Sequence, residues 1–227
     1  MPEQKLALIV FAKIPEANKV KTRLTSVLSP EEAALLYDAF LKDAIDLYQA
    51  LDVDVRLYFG PSDLEIPTAL RPPGISIHEQ KGEGLGARMA AAFAETFVAG
   101  YEQVVIIGTD HPTLPAQFIK QAFLMLENPG SISIGPSEDG GYYLLGMNTF
   151  YPQLFQHMRY SHADVFAQTL ERADKTEAAL HVLPTWYDVD DPDTLKRLIV
   201  DIKTSDLPLS RTRKVLAGLE QSYPAFR

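Results

Sequence analysis

An α/β fold with a mostly parallel sheet is what this sequence predicts, and two observations predict it. Short apolar runs recur along the chain, and between them lie longer stretches whose apolar residues return every three or four positions. The first pattern suits strands covered on both faces. The second suits the helices that cover them, and regular alternation of the two marks a parallel sheet.

Leu6 to Phe11 is the first apolar run and reads as a buried strand. Ser29-Pro30-Glu31-Glu32 opens a helix. Ser29 is an N-cap, Pro30 fits the first turn, and Glu32 completes a capping box. Leu36, Phe40, Ala44, Leu47 and Leu51 follow at helical spacing. Val53 to Phe59 reads as the second strand and Ile75 to His78 as a short third one. Leu85, Met89, Phe93 and Phe97 recur every four residues and predict a second helix. Gln103 to Ile107 is the fourth strand, ending at Gly108-Thr109-Asp110. Pro115 to Leu126 reads as a helix with Phe118, Ala122 and Leu126 on one face. Ser131 to Gly135 and Tyr142 to Met147 are strands, and the Asp-Gly-Gly segment between them predicts an antiparallel or bent piece. Ser161 to Ala173 reads as a helix that opens on Ser-x-x-Asp. Leu180 to Leu183 is a late strand. Asp191-Pro192-Asp193-Thr194 opens a helix running to Ile202, and Ser210 to Gln221 is a last one.

The 227 residues suit one large domain spanning 1–227, with 203–227 as a C-terminal helical extension. That extension carries Leu207, Leu209, Val215, Leu216 and Leu219, which suit packing on the domain or a contact between two copies. No apolar run approaches the roughly 18–20 residues that span a bilayer, and Met1 to Lys5 lacks the basic start of a signal peptide. The cytoplasm is therefore the expected compartment. The absence of cysteine excludes disulfides, zinc–thiolate sites and thiol nucleophiles together. The net charge of −9 argues against nucleic acid as a partner, since a phosphate backbone needs a basic surface. It leaves room for a small phosphorylated ligand in a local basic pocket.

Ligands of open α/β sheets sit at the carboxyl ends of strands, so the loops after the first and fourth strands matter most. The first loop holds Lys13, Lys19, Lys21 and Arg23 against a single acid, Glu16, with Thr22 as an added hydroxyl. Such a set suits a phosphate or pyrophosphate. Gly82, Gly84 and Gly86 precede a helix that carries Arg88, an arrangement suited to an anion approaching the backbone near Gly84 and Arg88. Asp110, on a turn stiffened by Pro112, suits Mg²⁺ or Mn²⁺ beside a diphosphate. His111 beside it reads more simply as a surface turn residue than as a second ligand. Asp139 could contact a hydroxylated acceptor or act as a base, with Gly140 and Gly141 allowing close approach. Tyr142 and Tyr143 point to opposite faces of a strand, so one lines a pocket and the other enters the core. Asp188 and Asp190 lie on the same side of an extended segment, and either could complete a cation site with Asp110. Ser161 reads as an N-cap. Trp186 reads as core or pocket wall.

Lys13 with Val20-Lys21-Thr22-Arg23-Leu24, Gly108-Thr109-Asp110-x-Pro112-x-Leu114, Gly135-Pro136-x-x-Asp139-Gly140-Gly141-Tyr142-Tyr143 and Asp188-Val189-Asp190-x-Pro192 stand in this order over nearly the whole chain. Together they resemble a family of single-domain bacterial proteins with the GT-A fold, labelled glycosyltransferase-like and in some members arsenosugar-biosynthesis proteins. That family is similar to 2-phospholactate guanylyltransferase and, more remotely, to molybdenum cofactor guanylyltransferase. The resemblance implies a three-layer α/β/α nucleotide-diphospho-sugar transferase domain. It implies that Lys21 and Arg23 meet phosphates, that Asp110 holds the metal, and that Asp190 meets the metal or the acceptor. Ser161, with Asp139, Gly140, Gly141 and Tyr142, falls on the acceptor side. Where the family usually has Pro-Gly in the first loop, this chain has Ala17-Asn18, and asparagine tolerates the left-handed turn that glycine would make.

The expected activity is a metal-dependent transfer from a nucleotide-activated donor to a small acceptor, assisted by Asp110, Asp139 and Lys21. Glycosyl transfer from a nucleotide sugar is the first expectation. Nucleotidyl transfer to a phosphorylated small molecule is the second, favoured by the cationic loop. A nucleotide-binding module without catalysis is the third.

Overall fold

The computed structural model describes residues 5–223. A seven-stranded sheet forms its middle layer. The strands are β1 (Leu6–Ala12), β2 (Asp54–Phe59), β3 (Ser76–Glu79), β4 (Gln103–Ile107), β5 (Ser131–Pro136), β6 (Tyr142–Met147) and β7 (Ala179–Val182). Their order across the sheet is β3-β2-β1-β4-β6-β5-β7. All neighbours pair in parallel except β6, which runs antiparallel to β4 and β5. The antiparallel piece is the one the Asp-Gly-Gly turn predicts.

The helices are α1 (Pro30–Gln49), α2 (Gly84–Val98), α3 (Ala116–Met125), α4 (Val165–Asp174), α5 (Pro192–Thr204) and α6 (Ser210–Ser222). Alternation along the central strands sorts the core into two layers. Leu8, Val10, Val105 and Ile107 face α1 and α3, meeting Leu41, Ile45, Ile119 and Phe123. Ile9, Val104 and Ile106 face the other way and meet Met89 and Phe93 of α2. The three-layer α/β/α architecture follows.

The expected capping box is present in full. Glu32 N–H donates to Ser29 Oγ (3.2 Å), and Ser29 N–H donates to the Glu32 carboxylate (2.8 Å). Asp191 caps α5 in the same way, with Thr194 completing the box. A four-residue difference appears at α4, which starts at Val165 where Ser161 was expected to cap. Ser161 has φ 69°, a left-handed conformation, and does not serve as the cap. His162 organises this run-up through both ring nitrogens. Asp164 N–H donates to its Nδ1 (3.1 Å), and its Nε2–H donates to Arg159 O (3.1 Å).

The C-terminal helix lies against the body of the protein. Leu209, Leu216 and Leu219 join a buried cluster with Leu36 and Phe40 of α1 and with Leu195, Leu198 and Ile202 of α5. Asp43 of α1 caps this helix from outside. It is 2% exposed, and its carboxylate accepts the backbone N–H groups of Arg211 (3.2 Å) and Thr212 (2.8 Å) as well as the Arg211 guanidinium (3.2 Å). A helix start needs partners for its free N–H groups, and here a neighbouring helix supplies them.

Two predictions follow from these caps. Asp43→Ala strands buried donors and should lower folding stability by roughly 2–4 kcal/mol; a urea-unfolding loss below about 0.5 kcal/mol would show that α6 is held by apolar contacts alone. Asp191 has its carboxyl pulled below the usual carboxylate value of 3.8 chiefly by the Thr194 N–H, against a small effect of burial. A lowered native value means the stabilisation is complete above the unfolded value and disappears as pH falls through the native one. Asp191→Asn should therefore show a shallower loss of stability than the wild type on titration from pH 5 downward; identical slopes would remove Asp191 from the acid limb.

Candidate functional site

The sheet order places the site. From β1 the chain moves to β2 on one side, and after β3 it returns to β4 on the other side of β1. The loops that leave the carboxyl ends of β1 and β4 therefore diverge, and a crevice opens between them. That crevice is a cleft of about 1220 Å³. Of the sequence-predicted residues, Lys13, Lys21, Thr22, Arg23, Arg88, Asp110, Asp139, Gly141, Tyr142, Ser161 and Asp190 line it. Asp188 and His111 line it as well.

The β1 loop turns through Asn18, which has φ 65°, the left-handed conformation expected of it. Glu16 O accepts from Lys19 N–H (3.1 Å) and Val20 N–H (3.3 Å). Lys21 is also left-handed (φ 47°) and heads a 3-10 turn, Thr22–Ser26. This geometry sends its side chain inward, where it is 2% exposed. Its ammonium pairs with Asp110 and with Asp190 (2.9 Å). Burial alone would lower its pKa; the two carboxylates more than offset that and hold the ammonium charged, well above the usual lysine value. The rings of Tyr37 (5.9 Å) and Phe40 (5.8 Å) flank it. Tyr37 Oη accepts Lys13 N–H (2.9 Å) and bonds Thr109 Oγ1 (2.9 Å), tying the β1 loop to the β4 loop. Burial first, and the nearby Asp110 charge second, push the Tyr37 phenol up to about 12.

Asp110 and Asp190 each give one oxygen to Lys21 and remain about 46% and 43% exposed. Val189 N–H donates to Asp110 O (2.8 Å), which joins their two segments edge to edge. Two carboxylates against one ammonium leave a local charge of −1 facing the cleft. Among the described residues no group of three or more His, Asp or Glu side chains could hold a metal. The pair suits a hard cation that takes its remaining ligands from water and phosphate oxygens, the habit of Mg²⁺.

The expectation for His111 needs correction. It is buried, 4% exposed, because its ring packs on Tyr143 (5.7 Å between centroids) and its Nδ1 lies 3.4 Å from Asp188 Oδ1. Ser137 Oγ donates to the other oxygen of Asp188. Burial would raise the Asp188 carboxyl; the bonds from His111 and Ser137 overcome it and hold the pKa below the usual range. No spacing rule links 111, 137 and 188, so only the topology could reveal this triad.

The expectations for the tyrosine pair, Gly84 and Gly140 also change. Tyr142 and Tyr143 do point to opposite faces, yet both residues line the cleft. Tyr142 Oη reaches Met89 Sδ (3.8 Å) and Tyr143 Oη donates to Pro184 O (3.0 Å). Gly84 does not line the cleft, and Gly86 is where the backbone comes close to a ring: a Cβ there would meet Tyr160 at 2.6 Å. Gly140 serves the fold, since it has φ 88° and a Cβ would collide with the backbone of Ala163. Asp139 is exposed and accepts Gly141 N–H (2.9 Å), closing its own turn.

Lys13, Lys19, Arg23 and Arg88 line the cleft, and none of them forms an ion pair among the described residues. They are unpaired cations in a cleft that Glu16, Asp63, Glu79 and Asp139 also line, in a protein of net charge −9.

This fold and site define an enzyme of the transferase class with the nucleotide-diphospho-sugar transferase architecture. The chain belongs to the family described as "Uncharacterized protein conserved in bacteria (DUF2064)", whose pattern matches residues 44–162. It is similar over its full length to a crystal structure of a candidate nucleotide-diphospho-sugar transferase from Desulfovibrio desulfuricans G20, with 32% identity, 99% of each chain covered and a TM-score of 0.92. It is 26% identical to a 2-phospho-L-lactate guanylyltransferase of Methanocaldococcus infernus over 190 residues, 82% of each chain. The inositol-1-phosphate CTP transferase of T. maritima shares the fold, with a TM-score of 0.55, 15% identity, and 93% and 96% of the two chains covered. No helix among the described residues is long and apolar enough to cross a membrane.

The glycine assignments make a direct contrast. Gly140→Ala should cost roughly 2–5 kcal/mol, combining a left-handed alanine with a backbone clash. At Gly141 a Cβ meets only the Asp139 carboxylate, at 3.1 Å, so Gly141→Ala should cost less than about 1 kcal/mol. Equal losses in thermal unfolding would refute the packing role of Gly140.

Proposed function

We propose that this chain is a nucleotidyltransferase that joins the nucleoside monophosphate part of a nucleoside triphosphate to a phosphorylated small molecule. The observation that carries the reading is the presence of four unpaired cations, Lys13, Lys19, Arg23 and Arg88, in the cleft that holds the Lys21–Asp110–Asp190 cluster. A triphosphate and a phosphorylated acceptor together bring about six negative charges into one cleft, against two for the diphosphate of a nucleotide sugar, and such charges need cations in place. The resemblance to a curated guanylyltransferase supports the same choice. Asp139, the acceptor-side residue of the glycosyl expectation, gives one carboxylate oxygen to the Gly141 N–H of its own turn.

In the reaction, an acceptor phosphate oxygen forms a bond to the α-phosphorus, the bond from that phosphorus to the bridging oxygen breaks, and pyrophosphate leaves with the electron pair. Lys13, Lys19 and Arg23 bind the triphosphate. The Lys21 ammonium holds Asp110 and Asp190 in place, and the Arg23 guanidinium stabilises charge that grows on the departing pyrophosphate. Arg88 and Ser161 contact the acceptor. Tyr142 and Tyr143 form an aromatic floor that excludes water. Asp110 and Asp190 would hold Mg²⁺ or Mn²⁺, which supplies neutralisation of phosphate charge when bound. The proposed setting is one domain, working on small molecules in the cytoplasm.

Thermal shift and pyrophosphate release, measured with the four nucleoside triphosphates and with UDP- and GDP-sugars in the presence of Mn²⁺, test this. Triphosphates should stabilise the chain, by about 2.7 kcal/mol at a hundredfold excess over Kd, and pyrophosphate should appear with a phosphorylated acceptor. Stabilisation by nucleotide sugars alone would overturn the reading. Lys21→Met should lower turnover roughly a hundredfold.

A further inference from the structure

Of the acidic residues that line the cleft, Asp110, Asp188 and Asp190 stand together on two segments, and they are not equivalent. Asp110 and Asp190 share one cation and present open oxygens. Asp188 differs: both of its oxygens carry a donor, one from His111 Nδ1 at 3.4 Å and one from Ser137 Oγ. A carboxylate only accepts, so the His111 Nδ1 must bear the hydrogen. The donors come from different elements. His111 follows β4, Ser137 begins the turn after β5, and Asp188 lies in the run-up to α5. Backbone bonds run beside the same junction: Val189 N–H to Asp110 O (2.8 Å), Glu138 N–H to Trp186 O (2.9 Å) and Trp186 N–H to Pro136 O (3.1 Å). His111 Nε2 is buried with no hydrogen-bond partner. The ring thus accepts the cost of one unpaired nitrogen in order to keep the other on Asp188.

We propose that Asp188 is a positioning residue, and that with His111 and Ser137 it locks the segment carrying Asp190 onto the loop carrying Asp110. The lock sets the separation of the two open carboxylates, and it takes Asp188 itself out of cation binding. For what Asp110 and Asp190 do, this inference rests on the nucleotidyltransferase reading. For the lock itself it does not.

Two measurements on the full chain separate these. One is hydrogen exchange of the Val189 amide, followed by NMR. The other is calorimetric titration with Mn²⁺ and with GTP plus Mn²⁺. His111→Leu and Ser137→Ala should both speed Val189 exchange and weaken uptake roughly tenfold, the usual effect of losing a residue that orients a ligand. His111→Asn places an amide nitrogen where Nδ1 stands and should stay within about threefold of the wild type in both readouts. Asp188→Asn should behave like His111→Leu, not like Asp190→Asn, which should abolish Mn²⁺ uptake. If His111→Leu and Ser137→Ala match the wild type while Asp188→Asn alone abolishes uptake, Asp188 is a ligand and the proposal fails. If the wild type takes up neither Mn²⁺ nor GTP, the nucleotidyltransferase reading fails. Val189 exchange then decides the lock alone: acceleration in His111→Leu supports it, and no change overturns it. Should His111→Leu not fold, Ser137→Ala carries the same decision.

Discussion

A buried ammonium is the constraint around which the site is organised. Lys21 has lost almost all contact with water, and an unpaired charge in that position would cost several kcal/mol. It needs carboxylates, and it takes them from two segments far apart in sequence, at Asp110 and Asp190. For those to meet, the β1 loop must turn inward at Lys21, the β4 loop must end beside it, and the run-up to α5 must pass over both. The left-handed backbone at Lys21, the Tyr37 bridge and the Val189 bond to Asp110 each serve one of those needs. The cluster therefore fastens the two diverging loops of the crevice to each other and to the segment that closes it.

The helices farther out support this arrangement indirectly. Phe40 of α1 packs under Lys21 and also belongs to the cluster shared with α5 and α6. The wall beneath the ammonium is thus held by the C-terminal helices, and Asp43 fixes α6 to α1 by capping it. The expected C-terminal extension is continuous with the packing that backs the site.

Local chemistry made most of the fold legible. Strands β4 and β6 and the caps at Ser29 and Asp191 were readable because apolar runs, capping boxes and Pro at the first turn act over a few residues. The start of α4 was not readable, because the choice between Ser161 and a later start depends on a left-handed backbone and on His162, which bonds the chain on both sides of itself. In the site, Lys21 and Asp110 were legible as charges in loops after strands, and Asp190 as an acid on an extended segment that could join Asp110. The contact of Lys21 with both acids was not, since it spans 89 and 169 residues of sequence. His111 was misread for the same reason: a turn histidine looks exposed until Tyr143 of β6 and Asp188 of the run-up to α5 reach it. The glycines after Gly82 and at Gly140 looked like room for a ligand, but Gly86 and Gly140 make room for Tyr160 and Ala163 of the chain itself.

The cations of the cleft divide into two kinds, and that division bears on how an acidic protein can receive polyphosphate. Lys21 is already committed to two carboxylates, and their cluster carries a net charge of −1, which repels an approaching anion. Lys13, Lys19, Arg23 and Arg88 have no such commitment and stand where solvent reaches them, so they are the charges an incoming phosphate meets first. Exposed charges attract over about a Debye length and are weakened by salt, whereas the buried cluster is screened far less. Under the proposed nucleotidyl transfer, the first kind draws the triphosphate in, and the second fixes where it stops. Under that same proposal, a phosphate chain held by the outer cations settles against Asp110 and Asp190 only when added positive charge reverses the sign there, and their two open oxygens offer that charge a place to bind.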